Sequence, residues 1–132
     1  MTMKHYDVVA AVVVHDGKYL CMQKCRTRYA YTSEKWEFPG GKIEQGETPE
    51  QALVRELEEE MDYEVHPIKS VAKVEYCYPD FAITLDAWVC ESDVCNFNMK
   101  EHLDHKWLSK DELSTLDWAA ADRKIIEVLV TK

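Results

Sequence analysis

The 132 residues carry 46% apolar side chains, enough for one domain with a proper core. Basic residues number 16 against 25 acidic ones, and the net charge of −9 argues against the backbone of a nucleic-acid polymer as a partner. The apolar run Val8 to Val14 is too short to span a bilayer and is bracketed by Asp7 and His15-Asp16, so no membrane segment or signal peptide is expected and a cytoplasmic protein is the default.

Asp7 to His15 and Lys18 to Gln23 have the pattern of strands joined by Asp16-Gly17, a dipeptide suited to a tight hairpin. Cys25 to Lys35, with Arg26, Arg28, Tyr29 and Tyr31, is expected to be a polar loop. Trp36 to Lys42 is a short β-type segment with a Gly40-Gly41 turn, where missing side chains let the backbone approach a ligand closely. Thr48-Pro49-Glu50-Gln51 supplies an N-cap Thr, a Pro at the first helical position and a Gln three residues after the cap. A helix is therefore expected from near Pro49 to about Met61, after a loop that carries Glu47 back toward it. Lys69 to Cys77 and Ala82 to Cys90 form a longer antiparallel pair turning at Pro79-Asp80. His105 to Leu108 is a short strand, Lys110 to Leu113 a single helical turn and Ala119 to Val130 an amphipathic helix. With no repeat, low-complexity tract or linker, residues 1–132 are expected to be a single domain. The five cysteines are odd in number and contain no C-x-x-C pair, which favours free thiols over a zinc site or a disulfide framework.

The chemistry concentrates in the helix after Thr48. At about 100° per residue, Glu56, Glu59 and Glu60 share one narrow arc, and Leu53, Leu57 and Met61 form the adjoining apolar stripe. Like charges so placed repel by roughly a few tenths of a kcal/mol per pair, which a helix avoids unless something positive sits among them. A hard divalent cation with oxygen ligands, such as Mg²⁺, suits that place; Mn²⁺ suits it as well. For an isolated E-x-x-E-E the plainer reading is a solvated acidic face, and Glu58, which points away from the arc, is assigned to that.

The residues flanking the arc decide between the two. Gly41, Glu47, Arg55, Glu56, Leu57, Glu59 and Glu60 meet the pattern G-x5-E-x7-R-E-U-x-E-E-x-G-U, with U aliphatic, and the chain thereby resembles the Nudix hydrolases. Asp62 stands where that family has Gly, and Tyr63 where it has an aliphatic residue. The Gly position ends the helix in a left-handed conformation, which Asp visits at a cost of about 1 kcal/mol, so a small loss of stability and intact chemistry are expected. Trp36 to Glu44, Tyr76-Cys77-Tyr78-Pro79-Asp80, Ile83-Thr84-Leu85 and Trp107-Leu108 extend the resemblance to the MutT-like branch over nearly the whole chain. The resemblance implies an α/β class and the Nudix fold, an α/β/α sandwich around a mixed β-sheet. It further implies cleavage of nucleoside triphosphates to monophosphate and pyrophosphate. A free nucleotide bound through Mg²⁺ is compatible with the acidic charge because the metal supplies the positive field.

Carried onto this sequence, the resemblance makes Glu56, Glu59 and Glu60 the main metal positions, with Glu47 and the Gly41 carbonyl as further contributors. Arg55 is expected to orient the carboxylates by charge-assisted hydrogen bonds, and Lys42 to touch the phosphates, with an exposed lysine as the alternative. The general base is left between a box glutamate and the loop Lys100 to Asp104, where Glu101 is the first choice, Asp104 the second and a plain solvated loop the alternative. Lys106 stands where one MutT-like pattern has Glu before the Trp, so that position carries nothing over.

Substrate contacts are expected from Glu37, from Tyr78 and Phe81 as aromatic faces for the base, and from Asp122 against the base edge. Stacking on an aromatic face contributes about 1–3 kcal/mol without choosing among bases, whereas a carboxylate accepts from an exocyclic amine such as cytosine N4. Asp122 at the head of the last helix fits a first-turn or N-cap role equally well. The pattern W-A-x-A-D with Glu101-His102 resembles the cytidine-nucleotide pyrophosphohydrolase members, which implies a cytidine-type preference, while Tyr78-Pro79-Asp80 and Ile83-Thr84-Leu85 are shared with the oxidised-guanine members and make 8-oxo-dGTP the runner-up. ADP-ribose or another nucleoside-diphosphate derivative, or an inactive nucleotide-binding module, are the readings from other classes. The expected assembly is a monomer or a homodimer.

Overall fold

Alternation in the first strand sets the layers of the molecule. In the computed structural model, which describes residues 3–131, β1 (Lys4–His15) points Val9, Ala11 and Val13 to one face and Ala10 and Val12 to the other, and all five are buried. A strand apolar on both faces must lie inside a sheet covered on both sides. β1 does: it pairs with β2 (Lys18–Lys24), with β4 (Gly40–Lys42) and, in parallel, with β6 (Phe81–Glu91). The sheet has seven strands on the path β3-β2-β1-β6-β5, where β3 is Trp36–Glu37 and β5 is His66–Cys77; β4 joins β1, and β7 (His102–Leu108) joins β2. The parallel β1–β6 pair among antiparallel neighbours makes it a mixed sheet, as expected.

Helix α1 (Pro49–Met61) covers the Val9 face with Ala52, Leu53, Leu57 and Met61, all fully buried. Each such Leu contributes about 1.5–3 kcal/mol by leaving water. Its start follows from chemistry local to the sequence: Gln51 N donates to Thr48 Oγ at 3.1 Å while Thr48 N donates to the Gln51 side chain at 2.9 Å, with Pro49 ahead of the first intrahelical bond. Its end is Asp62 at φ 50°, ψ 39°, the left-handed cap that the signature position requires. Helix α2 (Ala120–Val130) covers the opposite face through Ala121, Ile125, Ile126 and Leu129, preceded by a 3-10 helix over Lys110–Thr115 that contributes Leu113. Trp36 N donates to Asp117 O and Ala119 N donates to Trp36 O, both at 2.9 Å, tying the approach to α2 to β3. Among the described residues no helix is long and apolar enough to cross a membrane. All five cysteines are free, Cys21 and Cys90 in the core and Cys25, Cys77 and Cys95 exposed.

The first hairpin turns at Asp16 (φ 52°) and Gly17 (φ 75°), both left-handed as a two-residue hairpin demands. The glycine pair departs from expectation. Gly40 and Gly41 do not form a turn but an extended strand paired with Ala10 and Val9, and neither has positive φ. Close approach is what requires glycine there, since a Cβ at Gly40 would run into the Val9 carbonyl and one at Gly41 into the Glu56 carboxylate. The last strand also begins earlier than expected, at His102 rather than His105, because Asp104 and His102 register with Gln23 and Lys24 of β2. The 3-10 helix likewise runs on to Thr115.

Gly40→Ala is expected to lower stability by about 2–3 kcal/mol in urea unfolding, since the obstacle is backbone and cannot rotate away.

Candidate active site

One guanidinium organises the acidic face of α1. Arg55 Nε donates to Glu47 Oε2 at 2.7 Å and its Nη2 to Glu47 Oε1 at 3.0 Å, a bidentate pair. Nη1 donates to Glu56 Oε1 at 2.9 Å and to Glu59 Oε2 at 3.2 Å, lies 3.6 Å from Glu44 Oε1, and Nη2 also reaches the Lys42 carbonyl at 3.0 Å. The loop before the helix therefore does fold Glu47 back onto the helix, fixed further by Glu44 N donating to Glu47 Oε1 at 2.9 Å. Arg55 and then the Glu44 N–H hold the Glu47 carboxyl below the usual carboxylate range, and Glu47 in turn raises the Arg55 pKa further.

The carboxylates differ sharply in environment. Glu59 is 61% exposed, whereas Glu56 is only 16% exposed, and burial raises the Glu56 pKa against the opposing pull of Arg55. Glu60 points inward, with Oε2 buried and without a hydrogen-bond partner. Burial first, then a hydrogen bond with Glu101 and the charges of Glu56, Glu101 and Glu37, push its pKa from 4.5 up to about 9. A buried acidic oxygen without a donor is costly unless a proton or a cation satisfies it. Among the described residues no group of three or more His, Cys, Asp or Glu side chains closes around a common point as a cation cage. The donor set still fits a hard divalent ion: only carboxylates and the Gly41 backbone are offered, the Glu60 oxygen lacks a donor, and a bare glycine stands where a Cβ would collide with Glu56.

Behind this face lies a cleft of about 1290 Å³, and it gathers most of the residues singled out from the sequence. Gly41, Lys42, Glu37, Glu60, Glu101, Tyr78, Phe81 and Asp122 all line it. Lys42 Nζ rests 4.1 Å from the centroid of the Tyr6 ring at the mouth of this cleft. Glu37 has two partners, with His102 Nε2 3.1 Å from its Oε2 and Lys24 Nζ 3.8 Å from its Oε1. Asp122 is not an N-cap: Ala119 holds that position, and the buried Asp122 carboxylate accepts from Phe38 N at 2.9 Å instead. Burial, then the nearby Glu37 charge, push its pKa up to about 8. Asp104 is not brought to the cleft. It sits within β7 and accepts from His105 N at 2.7 Å, leaving Glu101 as the loop carboxylate that faces Glu60.

Sequence reasoning missed one wall. Tyr31 stacks on Tyr78 (5.3 Å, 14°) and on Tyr29 (5.2 Å, 17°), and Tyr31 donates to Asp80 Oδ2 at 2.6 Å, so part of the Cys25 to Lys35 loop is pinned over the cleft. Its signal was the aromatic spacing Tyr29-Ala30-Tyr31, which a loop assignment leaves without a partner. His102 was noted only as part of a pattern; it is 4% exposed, and its Nδ1 is buried without a partner.

This geometry has known counterparts. A model of the NUDIX domain family matches residues 4–129, and the chain belongs to that family. It is 35% identical over 127 residues to the 8-oxo-dGTP diphosphatase of Escherichia coli (strain K12), covering 96% of this chain and 98% of that protein. It is equally 35% identical over 128 residues to the CTP pyrophosphohydrolase of the same organism, covering 97% and 93%. The solution structure of the E. coli ORF135 protein superimposes with a TM-score of 0.82 at 33% identity, over 98% of this chain and 91% of that one. The MutT protein from Methanosarcina mazei Go1, at 19% identity and a TM-score of 0.85 over 96% and 94%, shares the fold.

Glu60 and Asp122 keep protons in the folded protein at pH values where the unfolded chain has lost them, so folding takes up protons between about 4 and about 8–9. Stability of the metal-free protein should therefore fall as pH rises through that window. Melting temperatures at pH 5 and pH 8.5 check this, and Glu60→Gln is expected to flatten the decline.

Proposed function

We propose that the chain is a divalent-metal-dependent nucleoside triphosphate pyrophosphohydrolase, converting a (d)NTP and water to the (d)NMP and pyrophosphate, with a preference for cytidine-type bases. The observation that carries this reading is the coupling of the Arg55-centred carboxylates to an aromatic cleft with two acidic groups, Glu37 and Asp122, deep in it. It treats residues 1–132 as one cytoplasmic Nudix domain, a monomer or homodimer, acting on a small nucleotide.

Glu56, Glu59, Glu60, Glu47 and the Gly41 carbonyl would hold the metal, Mg²⁺ or Mn²⁺. When bound, that ion neutralises phosphate charge and lowers the pKa of the attacking water. The remaining work falls to the protein. Arg55 fixes the spacing of Glu47, Glu56 and Glu59, so that no side chain has to be ordered at the moment of reaction. Lys42 leaves the Tyr6 ring for the phosphates. Glu101, against Glu60, accepts the proton of the attacking water. Tyr78 and Phe81, backed by Tyr31, supply the stacking face. Tyr78 is held in place by Ala121 N, which donates to its hydroxyl at 3.1 Å. Glu37 and Asp122 are the polar readers of the base edge. Acidic side-chain oxygens there accept from a base that presents an exocyclic amine, which cytosine does through N4.

Guanine also presents donors to a carboxylate, and the 35% identity to an 8-oxo-dGTP diphosphatase matches that to a CTP pyrophosphohydrolase, so an oxidised guanine nucleotide is the second reading. Pyrophosphate release with Mg²⁺ across CTP, dCTP, 8-oxo-dGTP, dGTP, ATP and ADP-ribose separates them, with the highest kcat/KM expected for a cytidine nucleotide. An 8-oxo-dGTP winner would transfer the preference to the second reading, and turnover of ADP-ribose alone would overturn the triphosphate class. Glu59→Gln is expected to lower kcat by about a hundredfold or more with the fold retained. Retained turnover would remove Glu59 from the metal set.

A further inference from the structure

The chain departs from the Nudix signature at two adjacent positions, and both replacements grip the same segment. Asp62, in place of Gly, accepts from Asn98 Nδ2 at 2.7 Å through Oδ2 and from Lys100 Nζ at 2.9 Å through Oδ1. Tyr63, in place of an aliphatic residue, donates to the Val94 carbonyl at 2.7 Å and packs its ring against Phe97, centroids 5.2 Å apart. Two further bonds run alongside: Asn98 N donates to Met61 O at 2.9 Å, and Ser92 Oγ donates to Glu64 O at 3.0 Å. All of these contacts fall in residues 92–101, an irregular segment between β6 and β7 that ends at Glu101, which lines the same cleft as Glu60. We propose that Asp62 and Tyr63 are positioning residues, a clamp from the end of the box helix that fixes this segment and thereby sets Glu101 against Glu60. The proposal rests on the reading of Glu101 as a working carboxylate of the site.

Exposure favours positioning over stability as the role of Asp62. A non-Gly residue in the left-handed region is strained, and an ion pair as open as Asp62–Lys100, with both side chains 48% exposed, is largely screened by solvent. What remains is geometric: a ten-residue stretch with no ladder bonds of its own is anchored at Val94, Phe97, Asn98 and Lys100 by two consecutive residues of a rigid helix end. With a glycine and an aliphatic residue in their places, the contacts from both side chains to Asn98 and Lys100 and to Val94 would be gone.

Asp62→Gly removes both side-chain bonds and relaxes the backbone. The melting temperature should hold or rise, amide exchange at residues 98–101 should quicken by about tenfold or more, and kcat should fall about tenfold with KM unchanged. Asp62→Asn keeps an acceptor and tolerates the same backbone, so kcat is expected within about threefold of the parent. Tyr63→Phe, which loses only the bond to Val94, should quicken exchange near residue 94. Parental exchange in Asp62→Gly would overturn the clamp whatever the activity, and faster exchange with undiminished kcat would overturn its positioning role. Parental kcat in Glu101→Gln would remove the reading of Glu101, an outcome distinct from either.

Discussion

A single guanidinium cannot neutralise the carboxylates it holds. Arg55 contacts Glu44, Glu47, Glu56 and Glu59, and Glu60, Glu101 and Glu37 lie just behind them. This excess of negative charge is stored where burial makes it most expensive, at Glu56 and Glu60, and the consequence is visible in their raised pKa values. The rest of the fold serves that arrangement. The sheet presents β4 so that Gly41 meets Glu56, the capped helix aims three acidic side chains at one side, and the preceding loop returns Glu47 to the same guanidinium. A proton can satisfy Glu60, whereas the proposed divalent cation would satisfy the whole set.

The proposed substrate side is built by the second layer. Trp36, bonded to the residues on either side of Trp118, brings the first turn of α2 against Phe38, and the buried Asp122 carboxylate is delivered to the cleft by that contact. Tyr78, held by the Ala121 amide, and Tyr31, held by Asp80, then form a stack across two loops that are distant in sequence. In the proposed reading the metal-side carboxylates come chiefly from α1 and the loop before it, whereas the base-side groups come from α2, the β5–β6 turn and β3.

What could be read in the sequence was whatever has a local cause. The hairpin at Asp16-Gly17, the capping box at Thr48 and Gln51, the Leu53-Leu57-Met61 stripe and the shared arc of Glu56, Glu59 and Glu60 all follow from backbone preference and helical period. The left-handed cap at Asp62 was legible for the same reason, but its bonds to Asn98 and Lys100 were not, because they depend on a segment more than thirty residues away. Gly40 and Gly41 look like a turn in isolation and become a strand only through pairing with β1. Equally, β7 gains His102 and Asp104 from the register of β2, which removes Asp104 from the cleft. Tyr29 and Tyr31 carry no periodic signal, so the place of Tyr29 in the cleft lining and the stack of Tyr31 on Tyr78 are tertiary facts.

These carboxylates are proposed to form an electrostatic site that a divalent ion completes at the expense of protons. Calorimetric titration of Mn²⁺ into the metal-free protein at pH 7.5, repeated in two buffers of different ionisation heat, measures both at once. Saturable binding with net proton release is expected, the proton coming chiefly from Glu60. Absence of saturable binding, or binding that releases no protons, would contradict it.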